Sequence, residues 1–475
     1  MLVAIANYGT KNDGHLFRVL DEFRRMPHQV DLVVTSNIAK NLGADVEVVP
    51  GLPTEDPWSL PFAHKRIFAD RLEAYDLFVY TEDDVLITQR NVDAFLRVTE
   101  ALGESELAGF LRSETDPSGK VCFPDVHFHF HWDAGSVVRQ AEHIFAHFTN
   151  LHSGCYAMTK PQLRKAIASG GFLVPPHESA YDQIVTAATD PYTQCGFRKL
   201  ICISQIDEFI VAHLSNRYVK EPLRGGNFSL SADDFYPQVR ALLALSTNGK
   251  PKSTLFPIET NVLHRRWSKS YYEPCQEEAI ALIPKTTKTV LSIGCGWGVT
   301  EKRLQERGMK VKALAIDPAI AASAASRGIE VVYGDGQMPP SQLAHQRFDC
   351  LLFSNVLHLV PDPVKFLLSF VPLCPDGWVV TSVPNVSRLR RLIRRVRFRN
   401  HHVNPENYAA HGMHITTRQV VWRWLRQAGL TPVKTAYEVP HNQSSAHRRS
   451  LGLAKAMLAE TCAVLACVNA GKPRC

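Results

Sequence analysis

The chain has 475 residues, 45% hydrophobic and 21% charged, with 53 Lys and Arg against 46 Asp and Glu for a formal net charge of +7. Such a length suits roughly two or three domains with ordinary hydrophobic cores, which excludes a disordered chain, and the modest charge excludes a protein that coats nucleic acid. Eleven cysteines without repeated CxxC spacing argue against a zinc ribbon or a closed set of intramolecular disulfides and read as reduced thiols.

The opening MLVAIANYGTKND has no basic n-region, its apolar run is too short for a signal peptide, and no segment reaches the roughly 20 apolar residues of a membrane span. A cytoplasmic location is expected, extending to the inner face of the membrane if the basic run near 388–399 touches lipid. From residue 1 to about 245, short apolar runs (LVAIA, VDLVV, VEVV, DLFVY) alternate with helical stretches such as HLFRVLDEFRRM. Strands alternating with helices predict a mostly parallel α/β sheet.

The run YDLFVYTEDDVLI, Tyr75 to Ile87, ends an apolar strand in Glu82, Asp83 and Asp84. Like charges resist joint burial unless a positive group joins them, so the cluster suggests a bound divalent cation. Paired acids also cap helices, and that reading stands beside it. In VHFHFHW, His127, His129 and His131 alternate with Phe128 and Phe130, which predicts an extended segment with histidines on one face. Such histidines can bind zinc only with a fourth partner, so the segment reads rather as one facing an acceptor.

With an α/β sheet around it, the TEDD cluster resembles the acidic metal motif of GT-A glycosyltransferases. The resemblance covers about Met1 to Val219 and is carried further by IANYGT, LHSGCYAMTK and IVAHLSNRY. It implies a nucleotide-sugar donor held through a divalent metal (Mn or Mg), with Asp84, Glu82 and a late histidine, His213, as ligands. A hard cation would neutralise the departing nucleoside diphosphate. The resemblance also implies an acceptor-activating base in PPHESAYDQ, either Glu178 or Asp182, of which Asp182 is slightly preferred.

A polar stretch, STNGKPKSTLFPIETN, then interrupts the pattern, and 246–270 reads as a linker. A second α/β series occupies 271–475. TVLSIGCGWG places Gly294, Gly296 and Gly298 between a strand and a helix, where a backbone can approach a ligand closely. It lacks the GKS or GKT of a phosphate-binding loop. Asp317 ends the next strand, 19 positions after Gly298 (317 − 298), suited to accept both hydroxyls of a ribose, and Asp335 closes the third.

This ordered set resembles the class I S-adenosylmethionine-dependent methyltransferases, which have a Rossmann-like fold. FDCLLFSNVLHLVPDPVKFL looks like the family's fourth strand and following helix, and HGMHITTRQVVWRWLRQAGL like its late substrate-side segment. The resemblance implies that the glycine loop, Asp317, Asp335 and Asn355 hold S-adenosyl-L-methionine. One departure is Ser292, where many members carry an acid. Methyl transfer is an in-line displacement that needs orientation and at most one base, for which His358 and His414 are candidates.

Seven arginines fall between Arg388 and Arg399, with Leu389, Leu392, Ile393 and Val396 at helical spacing. This amphipathic basic run reads equally as a solvated helix or as a peripheral contact with anionic lipid or a pyrophosphate-linked glycan. The expectation is an α/β protein of two domains: a GT-A-like glycosyltransferase joined to a methyltransferase, together adding and O-methylating a sugar on a glycan or glycolipid acceptor. The alternatives are a methyltransferase with a non-catalytic carbohydrate-binding N-terminal domain, or an RNA-modifying enzyme; nucleic acid is not the expected partner.

Overall fold

The computed structural model describes residues 1–220, 230–247, 254–262, 265–336, 338–386, 408–438 and 459–468. The arginine-rich run 388–399 lies outside the described residues, so contact with lipid rests on sequence alone. Among the described residues no helix is long and apolar enough to cross a membrane.

The N-terminal part is built on a parallel sheet. β1 (Leu2–Asn7), β2 (Asp31–Ser36), β3 (Val46–Pro50) and β4 (Leu77–Glu82) lie side by side in the order β3, β2, β1, β4. β1 is buried along its whole length, as a strand covered on both faces must be. Between β1 and β2, helix α1 (Asp13–Arg25) lays Leu16, Val19, Leu20 and Phe23 on the sheet, one apolar face at helical spacing. Asp13 in its first turn and Arg24 and Arg25 in its last complement the helix dipole.

Asp83 and Asp84 form a two-residue turn from β4 into the short β5 (Val85–Leu86). They begin no helix, so the capping reading of this cluster does not apply; the next helix, Gln89–Thr99, is capped by Thr88 and Asn91. β6 (Cys155–Thr159) adds antiparallel to the free edge of β4, and Asp182 starts helix α2 (Gln183–Thr193). β7 (Ile210–His213) pairs antiparallel with β5, setting His213 opposite Val85. The long-range pairing of β7 thus carries a late histidine to the acidic turn.

After helix α3 (Ala232–Thr247), a second sheet begins with β8 (Thr289–Cys295). It continues through α4 (Val299–Glu306), β9 (Lys310–Ala315), α5 (Pro318–Ser326), β10 (Glu330–Val332), β11 (Cys350–Ser354) and β12 (Trp378–Pro384). β13 (Thr431–Glu438) and β14 (Thr461–Cys467) complete seven strands in the order β10, β9, β8, β11, β12, β14, β13. β14 runs antiparallel to both its neighbours, whereas the first five strands are parallel. The chain reverses its direction of growth between β8 and β11, and the crevice at the carboxyl ends of such a pair is where open α/β sheets bind ligands.

The two parts interlock rather than hang on a tether. Gln238 Nε2 of α3 donates to Ser323 Oγ of α5 at 2.8 Å, Ser323 Oγ donates to the Asp234 carbonyl at 2.9 Å, and Arg327 meets Asp234 at 2.7 Å. The segment 246–270 is not a free linker in its described part: Phe256, Ile258, Val262 and Lys269 are buried, and Leu255 N–H donates to the Ile316 carbonyl at 2.8 Å. Its polar composition misled because polar side chains here are satisfied within the segment: Ser268 pairs with Thr260, whose hydroxyl donates to the Arg266 carbonyl.

Candidate functional site

Two regions gather chemistry. In the N-terminal part, the carboxyl ends of β1 and β4 open onto a cavity of about 590 Å³ lined by Tyr8, Trp58, Glu82, Asp83, Asp84, Arg112, Asp182, His213 and Arg217 among others. Asp83 accepts Asn7 Nδ2 at 2.7 Å and Asn12 Nδ2 at 2.8 Å, which fixes its orientation. His213 Nε2 lies 3.2 Å from Asp84 and its Nδ1 2.5 Å from Glu114. With an acid on each ring nitrogen, both nitrogens donate and the ring is an imidazolium.

The three acids of the turn are pushed apart. Burial and the neighbouring Asp84 charge raise Glu82 to about 8, and burial raises Asp83 to about 6 against the donors Asn12 and Asn7. For Asp84 burial acts upward too, but hydrogen bonds from His213 and Ser215 overcome it and hold the group below its ordinary value. Burial alone would lower His213; Asp84 and Glu114 overcome it and raise it to about 9. Carboxyls with divergent proton affinities around one cavity are the mark of a functional site.

The expected metal set is a correction. Glu82, Asp84 and His213 line the same cavity, yet among the described residues no group of three or more His, Cys, Asp or Glu side chains is arranged to hold a metal ion. The physical reason is that both nitrogens of His213 are spent on carboxylates. A ligating imidazole must offer a lone pair. Asp182 lines the cavity while its Oδ1 caps α2 through Val185 N–H at 3.0 Å, whereas Glu178 is exposed and outside that lining.

The second region is the carboxyl edge of β8, β9 and β11. Gly294 and Gly298 take φ of 86° and 90°, a left-handed conformation that disfavours a side chain. A Cβ on Gly296 would come within 2.3 Å of the Tyr271 carbonyl oxygen. Asp317 caps α5 through Ile320 N–H at 2.7 Å, with Pro318 at the first helical position; burial raises its carboxyl to about 6. Asp335 is exposed at the third strand end and accepts Met338 N–H at 3.2 Å.

Asn355 directly follows β11 with φ of 48° and donates to Glu273 at 3.0 Å. Glu273 also receives Lys269 Nζ at 2.5 Å, Gln276 Nε2 at 2.8 Å and Ser354 Oγ at 2.7 Å, a polar network buried beside the glycine turn that sequence reading missed. It also missed Glu301, which is buried on α4 and accepts Ser292 Oγ at 2.6 Å. The acid absent at position 292 is thus supplied from one turn into the next helix. The available signal was a glutamate in the first turn of the helix that follows the glycine loop.

The two candidate bases are not presented to a substrate. His358 is 1% exposed, its Nε2–H donates to the Trp267 carbonyl at 2.8 Å, and burial lowers its pKa to about 3. His414 points its Nε2–H at the carbonyls of Val360 and Pro361, 3.1 and 3.2 Å away, and burial lowers it too. Both rings thus hold backbone segments together. Replacing Gly296 by alanine is expected to destabilise the domain by about 1–3 kcal/mol, read as a fall in thermal midpoint, because the Tyr271 backbone has to move.

Residues 267–435 match a family model described as a methyltransferase domain. Among solved structures, an S-adenosylmethionine-dependent methyltransferase from Mesorhizobium loti is similar at 18% identity, covering 40% of this chain and 95% of that one, with a TM-score of 0.29. A SAM-dependent methyltransferase from Archaeoglobus fulgidus gives 18% identity, 40% and 90% coverage and a TM-score of 0.29. The N-methyltransferase NodS from Bradyrhizobium japonicum WM9, in complex with S-adenosyl-L-homocysteine, gives 15%, 40% and 84%, and 0.27. No curated protein sequence matches the chain. The glycine turn and the strand-end Asp317 both lie inside the stretch 267–435 that matches the methyltransferase-domain model.

Proposed function

We propose that the protein O-methylates a glycan or glycolipid and that its N-terminal domain is a glycosyltransferase that prepares the same acceptor. The observation that supports this reading is the convergence of Glu82, Asp83, Asp84, Asp182 and His213, from three distant stretches of sequence, on one cavity at the strand ends. In this reading Asp182 takes the proton of the acceptor hydroxyl, Arg217 offers positive charge to a donor diphosphate, and Tyr8 and Trp58, 52% and 47% exposed, offer ring faces to a base or sugar. No step of this reading is assigned to a divalent cation. At the other edge the methyl donor, when bound, supplies an activated sulfonium; the glycine turn, Asp317 and Asn355 orient it.

One observation favours a second reading, in which the N-terminal domain binds carbohydrate without catalysis: His213 is clamped between Asp84 and Glu114 and unavailable as a ligand. Calorimetric titration of S-adenosylhomocysteine and of a panel of nucleoside diphosphates, with and without manganese, separates the two. The glycosyltransferase reading expects both ligand classes to bind the wild type and sugar transfer to disappear in Asp182→Ala, with S-adenosylhomocysteine binding unchanged. Binding of glycans with no nucleoside diphosphate bound under either condition supports the second reading. Absence of S-adenosylhomocysteine binding overturns the methyltransferase half.

A further inference from the structure

The segment VHFHFHW, expected to be an extended strand, is instead a turn: Phe128 takes φ of 52° and the strand begins only at Trp132. Its histidines do not gather on one face. His127 Nδ1 bonds the Pro124 carbonyl at 2.7 Å and His131 Nδ1 the His129 carbonyl at 2.9 Å, so the zinc reading finds no ligand set. The turn reaches into the other domain. The His131 ring stacks on Tyr271 with centroids 4.3 Å apart and planes 7° from parallel, and Phe128 C=O accepts Tyr271 N–H at 2.8 Å.

Tyr271 lies between that turn and the methyl-donor edge. Its carbonyl accepts Trp297 N–H, inside the glycine loop, at 3.1 Å, and the same carbonyl fills the space beside Gly296. Its hydroxyl is buried against Asp317, and neither that hydroxyl nor Asp317 Oδ2 makes a hydrogen bond of good geometry. Two unpartnered polar atoms facing each other in a closed interior are costly unless a ligand or a small rotation joins them. Residue 271 therefore touches one turn of the N-terminal domain, through two of its residues, and both the glycine loop and Asp317 on the other side.

We infer that Tyr271 is part of the methyl-donor site, its hydroxyl donating to Asp317 as the ribose engages the carboxylate, and that His131 of the N-terminal domain is the positioning residue that holds it there. The inference rests on the reading of Asp317 as a ribose-binding acid. Its consequence is that the methyltransferase domain borrows a wall from its neighbour, so methyl-donor affinity depends on a residue outside 267–435. His131 acts through a flat ring face, not through a proton: both partners are buried, and burial lowers its pKa to about 4, leaving the ring neutral.

Asp317 has to be ionised to accept both ribose hydroxyls, and the groups that face it are Tyr271, Tyr272 and, from the N-terminal domain, Asp133. Asp133 opposes its ionisation, whereas a hydroxyl donated by Tyr271 favours it. Loosening Tyr271 therefore moves the acid limb of binding to higher pH, a change that mere loss of packing elsewhere does not produce.

The test is calorimetric titration of the full chain with S-adenosylhomocysteine between pH 5 and 8, for the wild type and for His131→Ala, His131→Phe and Tyr271→Phe. Expected is a loss of affinity of about tenfold for His131→Ala and Tyr271→Phe, each with its low-pH limb shifted upward. His131→Phe, which keeps the stacked face and serves if the alanine variant fails to fold, is expected to bind as the wild type does. Unchanged or tighter binding in His131→Ala and Tyr271→Phe overturns the inference while leaving the methyl-donor reading intact. A wild type that binds no S-adenosylhomocysteine overturns that reading and the inference with it.

Discussion

Asp317→Asn is expected to weaken S-adenosylhomocysteine binding on the order of hundredfold while making the unliganded protein more stable at pH 8. The loss follows from removing the charge that two ribose hydroxyls would donate to, since hydrogen bonds to an ionised group are worth about 1.5–3 kcal/mol each. The gain follows from the site's electrostatics. Burial raises the Asp317 carboxyl from 3.8 to about 6, so the native state binds this proton more tightly than the unfolded chain does. A raised carboxylate costs stability as pH climbs through that window, and the cost is complete above it, at about 3 kcal/mol.

Asparagine carries no such cost and can still cap α5 through Ile320 N–H, as Asp317 Oδ1 does at 2.7 Å. Thermal midpoints at pH 5 and pH 8 check the sign: the advantage of the variant should grow with pH. A variant that binds normally would remove Asp317 from the cofactor site; one destabilised at pH 8 would show that its carboxylate is stabilised by something other than the groups described. The opposition of binding and stability at one residue is the usual trade at a site built for a ligand.

The largest expected loss of stability is at Asp125→Ala. Arg112 donates from Nε and a terminal nitrogen to Asp125 Oδ1 at 3.1 and 2.7 Å, and its backbone N–H donates to Oδ2 at 2.8 Å, with both side chains buried. Burial would raise Asp125, but Arg112 and then His152 outweigh it and hold the carboxyl far below the carboxylate range. Removing one partner leaves the other charge uncompensated in the interior, at a cost of about 3–5 kcal/mol. Arg112 also lines the acid-rich cavity, so the variant should lose that cavity's shape.

Chemical denaturation of Asp125→Ala beside Arg112→Met tests the assignment. The double replacement Arg112→Met with Asp125→Leu is expected to recover much of the loss, because a paired apolar substitution strands no charge. If Asp125→Ala unfolds at the wild-type denaturant concentration, the ion pair is not what closes this side of the cavity.

The glycine turn and the acid at the next strand end were legible in the sequence for a local reason. A turn that needs φ near 90° at two places selects glycine, as Gly294 and Gly298 show, and an acid that caps a helix follows directly on the preceding strand, as Asp317 does. Spacing within some 25 residues records such demands. The acidic turn at Asp83 and Asp84 was legible as a cluster, but its chemistry was not, because Glu114 and His213 lie 99 positions apart. Nothing in either local sequence announces that a carboxylate will take the ring nitrogen a metal would need.

By itself the sequence determined the α/β character, the glycine turn, the strand-end acids and the acidic cluster Glu82, Asp83 and Asp84, since periodicity and turn chemistry are short-range properties of the chain. Only the tertiary structure decided what each of those groups is free to do. It closed the His213 ring between Asp84 and Glu114, put Glu301 beside Ser292, turned His358 and His414 onto backbone carbonyls, and laid Tyr271 between His131 and Asp317. The physical reason is that burial and partnering set protonation and reach, and both are fixed by what the fold brings within about 4 Å, regardless of how far apart it lies in the chain.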